Sequence, residues 1–142
     1  MQVDNQVVGQ IGHGLVLFAA ARAEDTEEDL HYLVDKTVNM RIFPDDAGRF
    51  DRSVLDMGGA ILLVSQFTLY ADTRKGRRPS FVGAAPPDQA EALIERLGSL
   101  LREAGVEVQT GRFRAHMQVE IHNDGPVTIW IDSEERKRAR RG

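Results

Sequence analysis

Two clusters in this 142-residue chain have residue types and spacing suited to chemistry. Ser65-Gln66-Phe67-Thr68-Leu69 places two hydroxyls and a carboxamide at the end of an apolar run, beside the N–H groups of Phe67 and Thr68. Backbone donors fixed at a strand end suit an oxyanion developing on a carbonyl, because nothing has to reorganise as the charge appears. Chemistry at a carbonyl fits that arrangement, with Ser65, Gln66, Phe67 and Thr68 as the candidate catalytic segment. Ser65 or Thr68 as a nucleophile is an alternative, but a hydroxyl nucleophile needs a base steered by a third group. No histidine is placed for that by sequence. A plainer alternative is a strand end with Phe67 in the core. The second cluster, Asn123-Asp124-Gly125-Pro126-Val127-Thr128, is a Gly-Pro turn between two alternating stretches. Proline makes a cis bond tolerable and glycine frees the carbonyl directions, although an ordinary trans turn is the simpler reading. The Thr128 hydroxyl is placed to brace it.

Other candidates are weaker. His116 and His122 lie on one face of a single strand pattern but six residues apart, roughly 20 Å, so they cannot converge on one zinc ion. With no cysteine in the chain, no metal or other cofactor is expected. Gly9 to Gly14 has the wrong spacing for a dinucleotide fingerprint and reads as a hairpin turn around Gly12-His13-Gly14. The net charge of −4 makes the whole molecule no magnet for nucleic acid, so any RNA contact must come from local clusters. Arg74-Lys75-Gly76-Arg77-Arg78 follows the first motif closely enough for phosphate contacts. The Arg136–Arg141 cluster reads as a disordered basic tail, residues 134–142, after a single domain over residues 1–133. Arg78-Pro79-Ser80-Phe81 and Gly111-Arg112-Phe113 read as supports, with Phe81 or Phe113 either stacking on an unpaired base or buried.

The elements that must hold these residues follow from periodicity. Gln6–Ile11 and Gly14–Ala20 read as a strand pair. A helix opens at Asp25 or Thr26, with Leu30, Leu33, Val34 and Val38 inward and Glu27, Glu28, Asp29 and Asp35 outward. Arg41–Phe43 is extended and stopped by a Pro44–Gly48 turn. Ala60–Leu69 is nearly all apolar, as in a strand covered on both faces. A second helix carries Leu93, Ile94, Leu97, Leu100, Leu101 and Ala104, with Asp88 and Glu91 as a capping-box candidate and Gly105 as its stop. Val106–Thr110, Met117–His122 and Val127–Ile131 complete a β-β-α-β-β-α-β-β-β order. That order predicts a three-layer α/β protein, β-rich, with two helices on one side of a strongly curved sheet. No apolar run approaches the ~20 residues of a membrane span, and the first residues lack a secretion signal; a cytoplasmic protein with no membrane partner is expected.

The two clusters, with Met40-Arg41-Ile42-Phe43, Arg78-Pro79-Ser80-Phe81 and Thr110-Gly111-Arg112-Phe113 in order between Val3 and Trp130, resemble the D-aminoacyl-tRNA deacylases. The resemblance implies a barrel-like homodimer that cleaves the ester between a D-amino acid and the 3′ end of tRNA, and glycyl-tRNA too. It implies substrate-assisted cleavage through the 2′-hydroxyl of the terminal ribose, without cofactor, metal or DNA. It further implies that a cis Gly125–Pro126 bond from one subunit enters the other's pocket and excludes L-amino acids. Arg74, Lys75, Arg77, Arg78, Ser80, Phe81, Phe113 and Thr128 become the tRNA-binding and supporting residues. Family members usually begin with a further strand carrying Gln-Arg-Val, which is absent from this chain. On that comparison, the chain is expected to be less stable or less enantioselective, or to bind tRNA with little turnover; adding the natural upstream residues without effect on Tm or D-over-L ratio would refute this.

Overall fold

Ala60–Ser65 reads Ala-Ile-Leu-Leu-Val-Ser, and no hydrophobic member of it is more than 8% exposed. Such a run needs apolar cover on both faces, which a central strand of a parallel sheet receives. In the computed structural model, which describes residues 1–137, it is the middle strand of three.

In chain order the elements are β1 (Gln2–Val3), β2 (Gln6–Val7), β3 (Gly14–Ala19), α1 (Glu27–Asn39), β4 (Phe43–Pro44), β5 (Phe50–Arg52), β6 (Ala60–Ser65), a 3₁₀ turn (Phe67–Tyr70), α2 (Pro87–Glu103), β7 (Glu107–Thr110) and a last 3₁₀ turn (Ser133–Lys137). β3, β6 and β7 form one parallel sheet in the order β3-β6-β7, with Gly14 opposite Ala60 and Ala60 opposite Glu107. Both crossovers step in the same direction, and the right-handed rule then puts both helices on one face. Leu15, Leu17, Ala19, Ile61, Leu63 and Val108 duly meet Leu30, Val34, Val38, Ile94, Leu97 and Leu101 there. The alternate residues Val16, Phe18, Leu62 and Val64 face a third layer made by Met1, Val8, Ile11, Met117 and Val119.

Several expectations change. Gly12–Gly14 is no hairpin: β2 pairs antiparallel with β1 across Asp4-Asn5, both at positive φ, while β3 pairs parallel with β6. Gly14 is needed for close approach, since a Cβ there would lie 1.9 Å from the Ala60 carbonyl oxygen. The apolar run leaves the sheet at Ser65 and turns into the 3₁₀ segment, so Phe67–Leu69 is not strand. Met117–His122 and Val127–Ile131 are not strands, because an extended segment becomes one only beside a partner. Among the described residues their sole ladder contact is the reciprocal bridge between Gln118 and Gln2, at 2.8 and 2.9 Å. Ladders therefore join the described strands into three small sheets, not one curved barrel. β5, which pairs with β4, went unread.

Helix ends also differ. Thr26 caps α1, and Asp29 is not outward but 4% exposed; its carboxylate accepts from the Thr26 N–H at 2.9 Å and hydroxyl at 3.2 Å. Pro86 and Pro87 start α2, because proline suits the first turn where its missing N–H costs nothing, so Asp88 is already inside the helix and no Asp88–Glu91 box forms. Gly105, at φ 102°, stops α2 as expected. The tail expected to be disordered is packed as far as Lys137: Arg136 binds Asp29 at 3.2 Å and Glu28 at 3.3 Å. The remainder of that basic tail, 138–142, lies outside the described residues.

Candidate active site

The three parallel strands end at one edge of the sheet, Ala19 opposite Ser65 and Thr110 opposite Leu63. Open α/β sheets bind ligands beyond the carboxyl ends of such strands, and here both Ser65–Thr68 and Thr110–Phe113 emerge from that edge. The Gln66 N–H is committed to the Ala19 carbonyl at 2.8 Å, which fixes the exit from β6. The turn is then closed by Leu69 N–H to Gln66 O at 3.1 Å and Ala71 N–H to Thr68 O at 3.0 Å. Phe67 and Thr68 occupy its first positions, where N–H groups lack intrahelical acceptors, and among the described residues neither donates to a protein group. The Gln66 side-chain amide donates to the Thr68 hydroxyl. Ser65 lines a cavity of about 440 Å³ with Leu63, Ile94, Gly98, Phe113 and Met117, a volume within the range of small-molecule sites.

The two candidate aromatics part company. Phe81 is engaged edge-on with Phe67, ring centroids 4.9 Å apart. Phe113 packs against Ala21, Ala85, Ala90 and Leu93 while lining the cavity. Ser80 contributes through its backbone, exchanging two hydrogen bonds with Asp72 at 2.7 and 2.9 Å. That bridge pinches off the 73–79 loop. Arg74 lies folded onto Asp72, donating from Nε at 3.0 Å and Nη2 at 2.8 Å. The Arg74 guanidinium holds the Asp72 carboxyl down to about 2. Lys75, Arg77 and Arg78 are exposed and make no ion pair among the described residues.

Beside the site, Tyr70 is pushed up to about 12 by burial, with Asp25 adding to the rise. Asp25 is itself raised by burial. Burial also works to raise Asp29, but its bonds from Thr26, Arg136 and Ser133 outweigh that and leave it lowered. Arg22 pairs with Glu134, tying the last 3₁₀ turn to the end of β3. No histidine reaches Ser65 or Thr68 among the described residues: His13 stacks edge-on with Phe43 at 5.3 Å, His31 lies 3.9 Å from Glu27, and His116 lines a small polar pocket with Gln2 and Gln118. Within the described residues no histidine hydrogen-bonds either hydroxyl as its base would. Among the described residues no group of three or more His, Cys, Asp or Glu converges as metal ligands would.

The Gly125–Pro126 bond is cis, with Gly125 at φ 141°. Asn123, whose role went unread, clamps this turn. Its Oδ1 accepts from the Val127 N–H at 2.8 Å and its Nδ2 donates to the Thr128 hydroxyl at 3.1 Å. The signal was available, since asparagine side chains habitually bond backbone a few residues on. Gly125 and Pro126 are exposed, and a Cβ on Gly125 would meet only Val127. Among the described residues no hydrogen bond joins this turn to Ser65–Thr68 within the chain. Ile121, Ile129 and Trp130 on either side are 46%, 50% and 68% exposed.

Comparison with known proteins adds to this geometry. A family model described as D-Tyr-tRNA(Tyr) deacylase matches residues 1–132. The chain is 53% identical over 135 residues to a D-aminoacyl-tRNA deacylase of Bacillus pumilus (strain SAFR-032), covering 95% of this chain and 92% of that one. It is equally 53% identical over 131 residues to a Bacillus subtilis (strain 168) protein named inactive D-aminoacyl-tRNA deacylase, covering 92% and 99%. Among solved structures it resembles the c-Myc DNA unwinding element binding protein, with TM-score 0.85, 39% identity, and 90% and 87% of the two chains covered.

Proposed function

As the chain belongs to the D-Tyr-tRNA(Tyr) deacylase family, we propose that it hydrolyses the ester joining a D-amino acid to the terminal adenosine of tRNA. The observation that carries this reading is the pair of uncommitted N–H groups at Phe67 and Thr68, in the turn that directly follows Ser65, itself a lining residue of the cavity with Phe113. Adenine stacks on Phe113, and the scissile carbonyl lies against the two N–H groups. Water adds to the carbonyl carbon, with the neighbouring ribose 2′-hydroxyl as the local proton carrier. The tetrahedral oxyanion is held by the backbone donors. The carbon–oxygen bond to the ribose then breaks, the ribose oxygen takes the proton, and free amino acid and tRNA leave. No side-chain nucleophile, metal or cofactor enters this scheme.

Selection falls to Gly125–Pro126 from a second copy. Carbonyls of that turn, braced by Asn123 and Thr128, take the substrate's amino group and leave no room for an L side chain. Rejection by clash discriminates further than fit to one small group, which is worth only ~1–3 kcal/mol. Glycine, having no side chain, passes, so glycyl-tRNA is also cleaved. Exposed Ile121, Ile129 and Trp130 supply apolar surface for that homodimer contact. Lys75, Arg77 and Arg78 meet tRNA phosphates, while Arg74 braces the loop from within. Such a reaction belongs in the cytoplasm with the translating tRNA pool, and no helix of the described residues is long and apolar enough to cross a membrane.

The test is deacylation of D-Tyr-tRNA and L-Tyr-tRNA side by side. Turnover of the D ester alone supports the proposal, whereas equal turnover abolished by Thr68→Ala would indicate a hydroxyl nucleophile and defeat it. Undiminished hydrolysis of tRNA ending in 2′-deoxyadenosine would defeat substrate assistance. A second reading, a tRNA-binding module without turnover, is favoured by the 53% identity to the relative named inactive. Binding without hydrolysis of either ester distinguishes it.

A further inference from the structure

The surface next to the proposed site combines features that the ester chemistry does not use. Phe67 contributes its backbone to the proposed reaction, yet the residue is 51% exposed and its ring is held edge-on by Phe81 at 4.9 Å. An exposed phenylalanine costs a soluble protein apolar surface, and this one is fixed, not free to fold away. Lys75, Arg77 and Arg78 follow within eleven residues, all exposed and without an ion pair among the described residues. The loop carrying them is anchored at both ends. Asp72 and Ser80 exchange backbone hydrogen bonds at its neck, and Ala85 donates to Ala21 O at 2.8 Å just beyond it. Arg74, folded onto Asp72, stiffens the near side. An aromatic face beside a preorganised set of free cations is the combination that binds single-stranded nucleic acid: bases stack while the cations follow the backbone.

Building on the reading above, we propose that the Phe67–Phe81 ring pair and the Lys75–Arg78 loop form a subsite for the unpaired nucleotides immediately preceding the terminal adenosine. The exposed face of Phe67 takes a base by stacking, and Lys75, Arg77 and Arg78 neutralise the adjoining phosphates. Stacking tolerates any base and phosphate contacts carry no sequence information, so this subsite holds the 3′ end without reading which tRNA it belongs to. Ser65 lines the cavity assigned to the adenosine and Phe67 follows it by two residues, so a strand whose last base sits in the cavity can reach the Phe67 ring with the nucleotides before it.

Two probes separate the subsite from the adenosine cavity: adenosine monophosphate and the single-stranded RNA tetranucleotide ACCA, titrated against the whole protein. The expected result is that ACCA binds about tenfold or more tighter than the mononucleotide. Its log affinity should fall with log salt at a slope near −2, about 0.7 for each phosphate neutralised. Lys75→Ala/Arg77→Ala/Arg78→Ala should flatten that slope, and Phe67→Leu should shrink the ACCA-to-mononucleotide ratio toward one. Equal affinity of the two probes, or a ratio indifferent to both variants, would overturn the proposal. So would a Phe67→Leu protein whose sedimentation changes while its RNA affinity does not, because the ring would then belong to a protein interface. Loss of D-Tyr-tRNA hydrolysis with the ACCA preference intact would count against the proposed reaction and leave the subsite standing.

Discussion

Replacing Asn123 with alanine tests the proposed selection by the Gly125–Pro126 turn without touching glycine, proline or the core. Asn123 makes two hydrogen bonds across the turn, from the Val127 N–H at 2.8 Å and to the Thr128 hydroxyl at 3.1 Å. A net protein hydrogen bond contributes about 0.5–1.5 kcal/mol, so losing both loosens the turn by about 1–3 kcal/mol. That corresponds to a roughly 5- to 150-fold shift between the clamped arrangement and its alternatives. Because Asn123, Asp124, Gly125, Pro126 and Thr128 are all exposed, Tm should hardly move. If handedness is judged by the turn's carbonyls, L-Tyr-tRNA hydrolysis should rise, and the D-over-L ratio of kcat/KM should fall by a factor in that range. Two further variants grade the effect. Asn123→Asp keeps the acceptor for Val127 N–H and accepts from the Thr128 hydroxyl where Asn123 donated to it, so it should keep most of the ratio. Thr128→Val removes one of the two bonds and should lose about half of what Asn123→Ala loses on a logarithmic scale. An unchanged ratio in Asn123→Ala, measured with both esters on the same tRNA, would refute the argument that a braced backbone does the selecting.

Other outcomes follow from single features. Phe113→Ala should raise KM by about 5- to 150-fold if adenine stacks there, since base–aromatic stacking is worth ~1–3 kcal/mol. Phe113→Leu keeps the packing on Ala21, Ala85 and Ala90 and separates stacking from stability; equal KM in both variants and the parent would count against the placement of the adenosine. Gly14→Ala would drive a methyl group into the Ala60 carbonyl, at 1.9 Å. Overpacking against backbone costs about 3 kcal/mol, so circular dichroism should show Tm lower by roughly 10 °C, and an unchanged Tm would contradict the β3–β6 register. Tyr70, with its folded pKa raised from 10 to about 12, favours the neutral phenol. Its contribution to stability is whole below pH 10 and is lost as pH climbs through about 12. Phenolate absorbance in a Tyr32→Phe background should therefore titrate late, and completion near pH 10 would show that the ring is not buried.

Much of this was legible because local pattern and long-range environment agreed. The unbroken run Ala60–Val64 announced a strand covered on both faces, and β6 has helices on one side and Met1, Val8 and Met117 on the other. The stripe through Leu97 and Leu101 gave α2 its buried face, and Gly105 its end. What failed was pairing. Gly12–Gly14 has hairpin composition, yet nothing local distinguishes a strand returning on its neighbour from one that seeks a parallel partner forty-six residues on, as Gly14 does with Ala60. Asp29 was assigned to the solvent side by its charge alone. Its burial depends on Arg136, more than a hundred residues away, whose guanidinium compensates a carboxylate that would otherwise resist leaving water.

The same distinction bears on the Gly-Pro segment. Period-two alternation in Met117–His122 records that one face expects cover, but says nothing of who supplies it. The chain covers Met117 and Val119 with its own third layer. It leaves Ile121, Ile129 and Trp130 exposed around a turn braced by Asn123 and Thr128. A turn held this firmly and flanked by this much uncovered apolar surface is ill explained as a solvent-facing connection. Such a connection would need neither the side-chain clamp nor the tryptophan. Both features become economical if the segment is a pre-shaped probe whose binding site lies on another molecule. For that reason the functional reading assigns the reaction to one copy's strand ends and the selection to another copy's turn.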